Sequence, residues 1–240
     1  MKEFLQTAQE NAVFLLTCLG IFVALALVAL AAEKILKVSS RLNTARTVSY
    51  IAMFSAIAAV LMLIEIPLFF APSFYEIDLS EIPILICTFY LGPVAGVVCE
   101  FLKILLKLMI KGTSTAYVGD FANFFVGCAL VLPASIIYHA KKTRKMAIIG
   151  LIAGTAVMTI FGSFFNAVYM LPKFSQLFGM PMEVIIGMGT AVNGAINSVS
   201  TLVLFAVVPF NLLKGAIVSL LTLLLYKRVE KVFFRSKKKA

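Results

Sequence analysis

The sequence predicts an all-α protein that crosses a membrane several times, on three observations. The first is hydropathy: 62% of the 240 residues are hydrophobic and 13% are charged, with a mean hydropathy of +1.04. A water-soluble domain carries roughly 25% charged residues and has no core large enough to hide this much apolar surface. The second is the length of the apolar runs. They come in stretches of about twenty, the number a helix needs to cross a hydrocarbon layer roughly 30 Å thick. The third is that the basic residues fall in clusters between alternate runs.

Apolar runs bounded by charge, Pro and Gly predict helices near 12–33, 47–66, 82–98, 100–111, 120–139, 146–171 and 209–227. The first run, Ala12 to Ala32, has no basic segment ahead of it. It is also longer than the roughly 7–15 residues of a signal-peptide core, so it is read as a retained span. The segment 183–206 is apolar too, but Gly187, Gly189, Asn193, Gly194 and Asn197 interrupt it. It is expected to be helical in part, lying against the bundle or re-entering it.

The basic clusters orient the spans. Lys34, Lys37, Arg41 and Arg46 follow the first run, and Lys141, Lys142, Arg144 and Lys145 follow the fifth. Lys227, Arg228, Lys231, Arg235 and Lys237 to Lys239 follow the last. These fifteen of the 21 basic residues share one side if the spans alternate, whereas Lys2, Lys111 and Lys173 lie near the other. The positive-inside rule makes the clustered side cytoplasmic and the N-terminus external. The formal net charge of +10 is therefore explained by topology and headgroup contact, not by nucleic-acid binding. The outer connections then run from Pro67 to Glu81, from Lys111 to Gly119, and from Pro172 to about Pro209. They are longer and more polar than the inner ones, which suits a ligand captured from outside.

Several polar residues fall where lipid should be. Glu100, Lys103 and Lys107 share one helical face at i, i+3 and i+7. Asn211 and Lys214 follow Pro209, Asp120 and Asn123 open the fifth span, and Asn166 closes the sixth. An ionisable group at membrane depth costs at least about 2.5–3.5 kcal/mol, so such groups face a cavity or pair within the bundle. For the lysines, snorkelling to an interface is the competing reading. For Asn211 and Lys214 a ligand site is favoured, because a helix broken at Pro209 would free backbone groups there. Small residues at four-residue spacing, Ala52 with Ala56 and Ser55 with Ala59, permit close helix approach in the second span.

Cys18, Cys87, Cys99 and Cys128 sit inside apolar runs without CxxC spacing or a nearby histidine, as small buried hydrophobes do. No Gly-x-x-x-x-Gly-Lys-Ser/Thr, His-Glu-x-x-His or Gly-x-Ser-x-Gly occurs, and the single histidine, His139, adjoins a basic cluster. No ATP-hydrolysing loop, catalytic constellation or metal site can be assembled from these residues, so an enzyme is the least favoured class. The halves show no internal repeat, which argues against an inverted-repeat carrier.

Five stretches carry a family resemblance: IDLSEIP (77–83), LGPVAGVVCEFLK (91–103), VGDFANFFVG (118–127), FNAVYMLP (165–172) and PFNLLKG (209–215). Over roughly residues 47–230 the chain resembles the substrate-binding S components of energy-coupling factor vitamin transporters, the riboflavin-binding type in particular. The resemblance implies a six-transmembrane-helix S-component bundle over 46–232, with one additional N-terminal transmembrane helix and basic linker (1–45) and a basic cytoplasmic tail (233–240). It implies riboflavin as transported ligand rather than cofactor. Asn166, Asn211 and Lys214 would bond the ring system, the backbone near Ile77 would pair with its pyrimidine edge, and Asp78, Lys103 and Asn123 would be further polar partners. It also implies a transmembrane coupling subunit with two cytoplasmic ATPases, met through Ala52 and Ala56. The chain departs from the family pattern at Leu79, where Phe is usual, and at Ile104, where Asn is usual. An S component for another vitamin, or a stand-alone carrier, are the alternatives.

Overall fold

The computed structural model describes residues 2–38, 44–72, 74–113 and 117–231. Arg41, the stretch 114–116 and the expected tail 233–240 lie outside them. Helix α1 (Lys2–Leu36) is followed by α2 (Ala45–Met62). A two-strand ribbon comes next, β1 (Ile66–Pro67) antiparallel to β2 (Glu76–Ile77), with Ile66 opposite Ile77. Then come α3 (Glu81–Leu91), α4 (Pro93–Lys111), α5 (Val118–Lys141) and α6 (Arg144–Phe165). A π-helical turn, Asn166–Met170, carries α6 without a break into α7 (Leu171–Phe178). After α8 (Met182–Val192), a short α9 (Val199–Leu202) runs through a second π turn, Val203–Val207, into α10 (Val208–Val229).

Two of these boundaries correct the sequence reading. The break expected near residue 99 falls at Gly92, because an unbroken hydropathy profile conceals a tight turn. Gly92 takes φ 111°, closed to most side chains, and Pro93 starts α4 where no amide donor is needed. Thus α3 has only 11 residues, about 16 Å of helix, and cannot cross a bilayer alone. The last span does not begin at Pro209, broken from the chain before it, as hydropathy and the proline suggest; it is continuous from Val199 to Val229. The π turn just before Pro209 absorbs the lost hydrogen bond and the ring's bulk. Pro172 follows the first π turn in the same way.

The bundle closes around α5 and α6. On α6, Gly150 and Gly154 lie against the backbone of α5: a Cβ at Gly150 would stand 2.6 Å from the carbonyl oxygen of Ala134, and one at Gly154 would strike that of Leu130. Close approach of this kind replaces the hydrophobic drive that helices lack in lipid. Leu130, Val131, Leu151, Met158, Val218 and Tyr226 fill the core around this contact. All four cysteines are free and buried, in keeping with their apolar sequence setting.

Helix α1 is seated on α4 and α5. Phe22 stacks on Phe124 at 5.6 Å, and Cys18 and Ala29 are buried beside it. Near the other end, the buried Glu33 accepts the amide of Val94 through Oε1 at 3.0 Å. That amide belongs to the first turn of α4, whose donors have no partner within the helix. The opposite face of α1 exposes Leu16, Leu19, Val23, Leu27 and Leu30, apolar as a lipid-facing surface must be.

The α5–α6 contact can be tested by overpacking. Gly154→Val is expected to destabilise the protein by about 1–3 kcal/mol, lowering the melting temperature of the detergent-solubilised chain. An unchanged melting temperature would contradict the close approach.

Candidate substrate-binding site

Helices α3, α4 and α10, with the loop before α3, bring five ionisable side chains into the interior. Lys103 Nζ lies 2.6 Å from Glu100 Oε2 and 3.3 Å from Glu81 Oε1, and it donates to Ser80 Oγ at 3.2 Å. Lys214 Nζ lies 2.9 Å from Asp78 Oδ2 and 3.3 Å from the same Glu81 Oε1. Glu81 therefore bridges two lysines from different helices. Asp78 is fixed in turn by accepting the amide of Ser80 through Oδ1 at 2.9 Å. All five are buried. Such burial is tolerable in a membrane only because each charge has opposite partners within contact distance.

A second pair settles the question about Lys107. Its Nζ donates to Asp120 Oδ1 at 2.7 Å and to the carbonyl of Gly112 at 3.1 Å. Both side chains are buried, so Lys107 pairs inside the bundle rather than snorkelling.

Above these pairs lies a cavity of about 290 Å³. Asp78, Asn123, Asn166, Asn211 and Lys214 all line it, gathered from the loop before α3 and from α5, the first π turn and α10. The other two residues singled out in the sequence are placed differently. Lys103 is fully buried behind the wall, held by Glu81 and Glu100, and does not reach the cavity. Ile77 is also outside the lining: its side chain packs with Tyr75 and Ala71 while its backbone sits opposite Ile66 in the ribbon. Of the small residues on α2, Ser55 and Ala59 face inward, whereas Ala52 and Ala56 lie on the exposed face.

The asparagines differ in their freedom. Asn166 is engaged: its Oδ1 accepts from Tyr75 Oη at 2.7 Å, and its Nδ2 donates to the Gly162 carbonyl at 3.2 Å. Asn211, 4% exposed, has no side-chain hydrogen bond among the described residues. It lies close to α6, where a Cβ at Gly162 would come within 3.1 Å of its Nδ2. An amide that lines a cavity without a protein partner is left for a ligand or water to complete.

Aromatic and apolar groups supply the remaining walls: Phe74, Tyr75, Phe174 and Phe210, with Met62, Met170 and Leu171. Sequence reading misses Tyr75 and Phe210, whose rings stand 5.5 Å apart. It also leaves Glu81 as a loop charge. Its position three residues after Asp78, at the start of an apolar run, is the signal that could have found it. At the mouth, burial and the neighbouring Glu65 carboxylate push the Glu76 carboxyl above the usual range, against the pull of Lys111. Lys111 itself pairs with Glu65.

This geometry has relatives. Residues 46–226 match the model of the family described as ECF transporter, substrate-specific component. The riboflavin transporter RibU of Staphylococcus aureus (strain TCH60) is 36% identical over 179 residues, covering 75% of this chain and 87% of that protein. The riboflavin transporter FmnP of Bacillus subtilis (strain 168) is 30% identical over 181 residues, 75% of this chain and 90% of that one. Among solved structures, the S component of a bacterial ECF transporter is similar with a TM-score of 0.62 and 38% identity, covering 79% of this chain and 98% of that one. The matched region begins where α2 begins, leaving α1 outside it. A helical membrane bundle with an amide-lined cavity, matched in sequence and in structure, places the chain in one family: it is a substrate-specific S component of the energy-coupling factor transporters.

Proposed function

We propose that this chain captures riboflavin from outside a bacterial cell membrane and delivers it inward as the binding subunit of an ATP-driven transporter. The observation that carries the reading is the convergence of Asn123, Asn166, Asn211 and Lys214 on one cavity with aromatic walls. A flavin's pyrimidine edge alternates carbonyl acceptors with an N–H donor, and carboxamides plus one ammonium match that alternation. The dimethylbenzene end suits the apolar wall of Phe74, Phe174 and Leu171, and the ribityl hydroxyls suit Asn123 and Asp78. Lys103 acts from behind, holding Glu81 against Lys214. The names of the two transporters similar to this chain support the same ligand.

In this reading residues 46–232 form the transporting core and residues 1–45 an accessory span with its linker. The basic clusters and the tail 233–240 face the cytoplasm, and the N-terminus faces outward. The exposed Ala52 and Ala56 of α2 meet the transmembrane coupling subunit, where small residues allow close helix packing. Two ATPases on that subunit supply the energy. No P-loop motif occurs in this chain to do so.

Absorbance of the purified protein is the direct test. A flavin band, present as isolated or after adding riboflavin and removing the excess, is the expected result; a folded protein that neither carries nor takes up flavin would refute the ligand. Asn211→Ala is expected to weaken riboflavin binding roughly tenfold, the loss of one buried hydrogen bond. Lys214→Ala should cost more, since Asp78 and Glu81 lose a partner as well. Both are read by quenching of flavin fluorescence, and unchanged affinity would remove the residue from the site.

A further inference from the structure

We infer that the protein holds one proton in its interior, bound as the acid form of Glu100. The inference starts from the buried charges and does not depend on which ligand the cavity takes. Three carboxylates, Asp78, Glu81 and Glu100, face two ammonium groups, Lys103 and Lys214. Asp78 and Lys214 both line the cavity and make a neutral pair where water can reach. Behind them, Glu81 and Glu100 share the single ammonium of Lys103, and these three residues are 2%, 0% and 0% exposed. Two carboxylates that share one cation away from water cannot both stay ionised, because the surplus charge finds neither solvent nor counterion.

The surroundings supply no further cation. On α4 the next base is Lys107, one turn beyond Lys103 and already bound to Asp120 at 2.7 Å. From α5 the neighbours of Glu100 are Gly127 and the thiol of Cys128. The one base of α2, Arg46, is exposed in its first turn. Helix α1 presents an acid, Glu33, which is engaged by the Val94 amide at the start of α4. Among the described residues no group of side chains is suited to hold a metal ion.

The carboxyl oxygens record the same shortage of donors. Glu100 Oε1 and Glu81 Oε2 are buried and have no hydrogen-bond partner among the described residues. An ionised carboxylate only accepts, so a protonated carboxyl supplies a donor that two carboxylates lack. Glu100 is the member that takes the proton. Glu81 Oε1 lies 3.3 Å from each of two ammonium groups, whereas Glu100 has Lys103 alone, 2.6 Å from its Oε2. The Glu100 carboxyl also rests on α5 so closely that a Cβ at Gly127 would stand 2.7 Å from both oxygens, which shuts water out on that side. With the proton in place, Oε2 accepts from Lys103 as a carbonyl oxygen, Lys103 answers the charge of Glu81, and the cluster is electrically neutral.

Infrared absorption of the full chain at neutral pH, purified in a detergent without ester groups, tests this directly. A protonated carboxyl has a C=O band apart from those of ionised carboxylates and amides. The parent is expected to show that band at the strength of one carboxyl per chain, and Glu100→Gln to abolish it. Glu81→Gln should abolish it too, although Glu100 is still present, because removing one acid lets Glu100 ionise against Lys103. Glu100→Gln, which resembles the protonated form, should melt close to the parent temperature. A parent without the band overturns the inference, whether or not the variants fold. A band that survives in Glu100→Gln belongs to another carboxyl and overturns it. One that survives in Glu81→Gln also overturns it, since the charge count would then not be what keeps Glu100 acidic. So does a Glu100→Gln chain that fails to fold or melts far below the parent, because Lys103 would then need an ionised Glu100.

Discussion

Glu81 is the carboxylate on which the interior depends. It stands at the first position of α3 and meets Lys103 from α4 and Lys214 from α10, each at 3.3 Å. Two consecutive helices and a third more than a hundred residues later are thus tied at one oxygen. In water a broken ion pair can be resolvated, so exposed pairs contribute little. In a membrane interior there is no such refuge, and removing one partner of a buried pair costs about 3–5 kcal/mol. With only 11 residues α3 is too short to be held by spanning the lipid; it is buried within the bundle from Glu81 to Phe89, and this tie adds to the packing that holds it there.

The cavity inherits its geometry from that tie. Lys214 points where it does because Glu81 and Asp78 grip its ammonium from one side. The asparagines are placed by a different device. The first π turn opens with Asn166 on the cavity wall, and Asn211, also on that wall, comes four residues after the second ends at Val207. A π turn inserts one extra residue into a helix and rotates the residues beyond it, which re-aims side chains without ending the span. Tyr75, donating to Asn166 at 2.7 Å, fastens the outer loop to the first of these turns. A rigid floor of ion pairs and two offset helices therefore present amides and an ammonium to one space.

How much of this the sequence declares depends on the physics of each element. The spans are plain because hydropathy over twenty residues is a strong, local signal, and Asn123, Asn166, Asn211 and Lys214 stand out because lipid makes polar residues conspicuous. The turn at Gly92 is hidden, since the residues on either side are equally apolar and only a Gly–Pro pair marks it. Pro209 misleads because a proline normally stops a helix, and a π turn that accommodates it leaves no compositional trace. Lys103 suggests a ligand contact because its type and depth match that role. Its pairing with Glu81, 22 residues away, is a tertiary fact that spacing does not encode. Tyr75 escapes notice because an aromatic in an outer loop is ordinary until its hydroxyl is seen to reach Asn166.

If Glu81 acts on the ligand through Lys214, as proposed, a double-mutant cycle on riboflavin affinity will reveal the coupling. Glu81→Gln, Lys214→Ala and the double variant are compared with the parent by fluorescence titration at fixed salt. Strong non-additivity is expected: once Lys214 is gone, Glu81→Gln should cost little further affinity. Additive losses would contradict it, because they would mean that the two side chains serve the ligand independently.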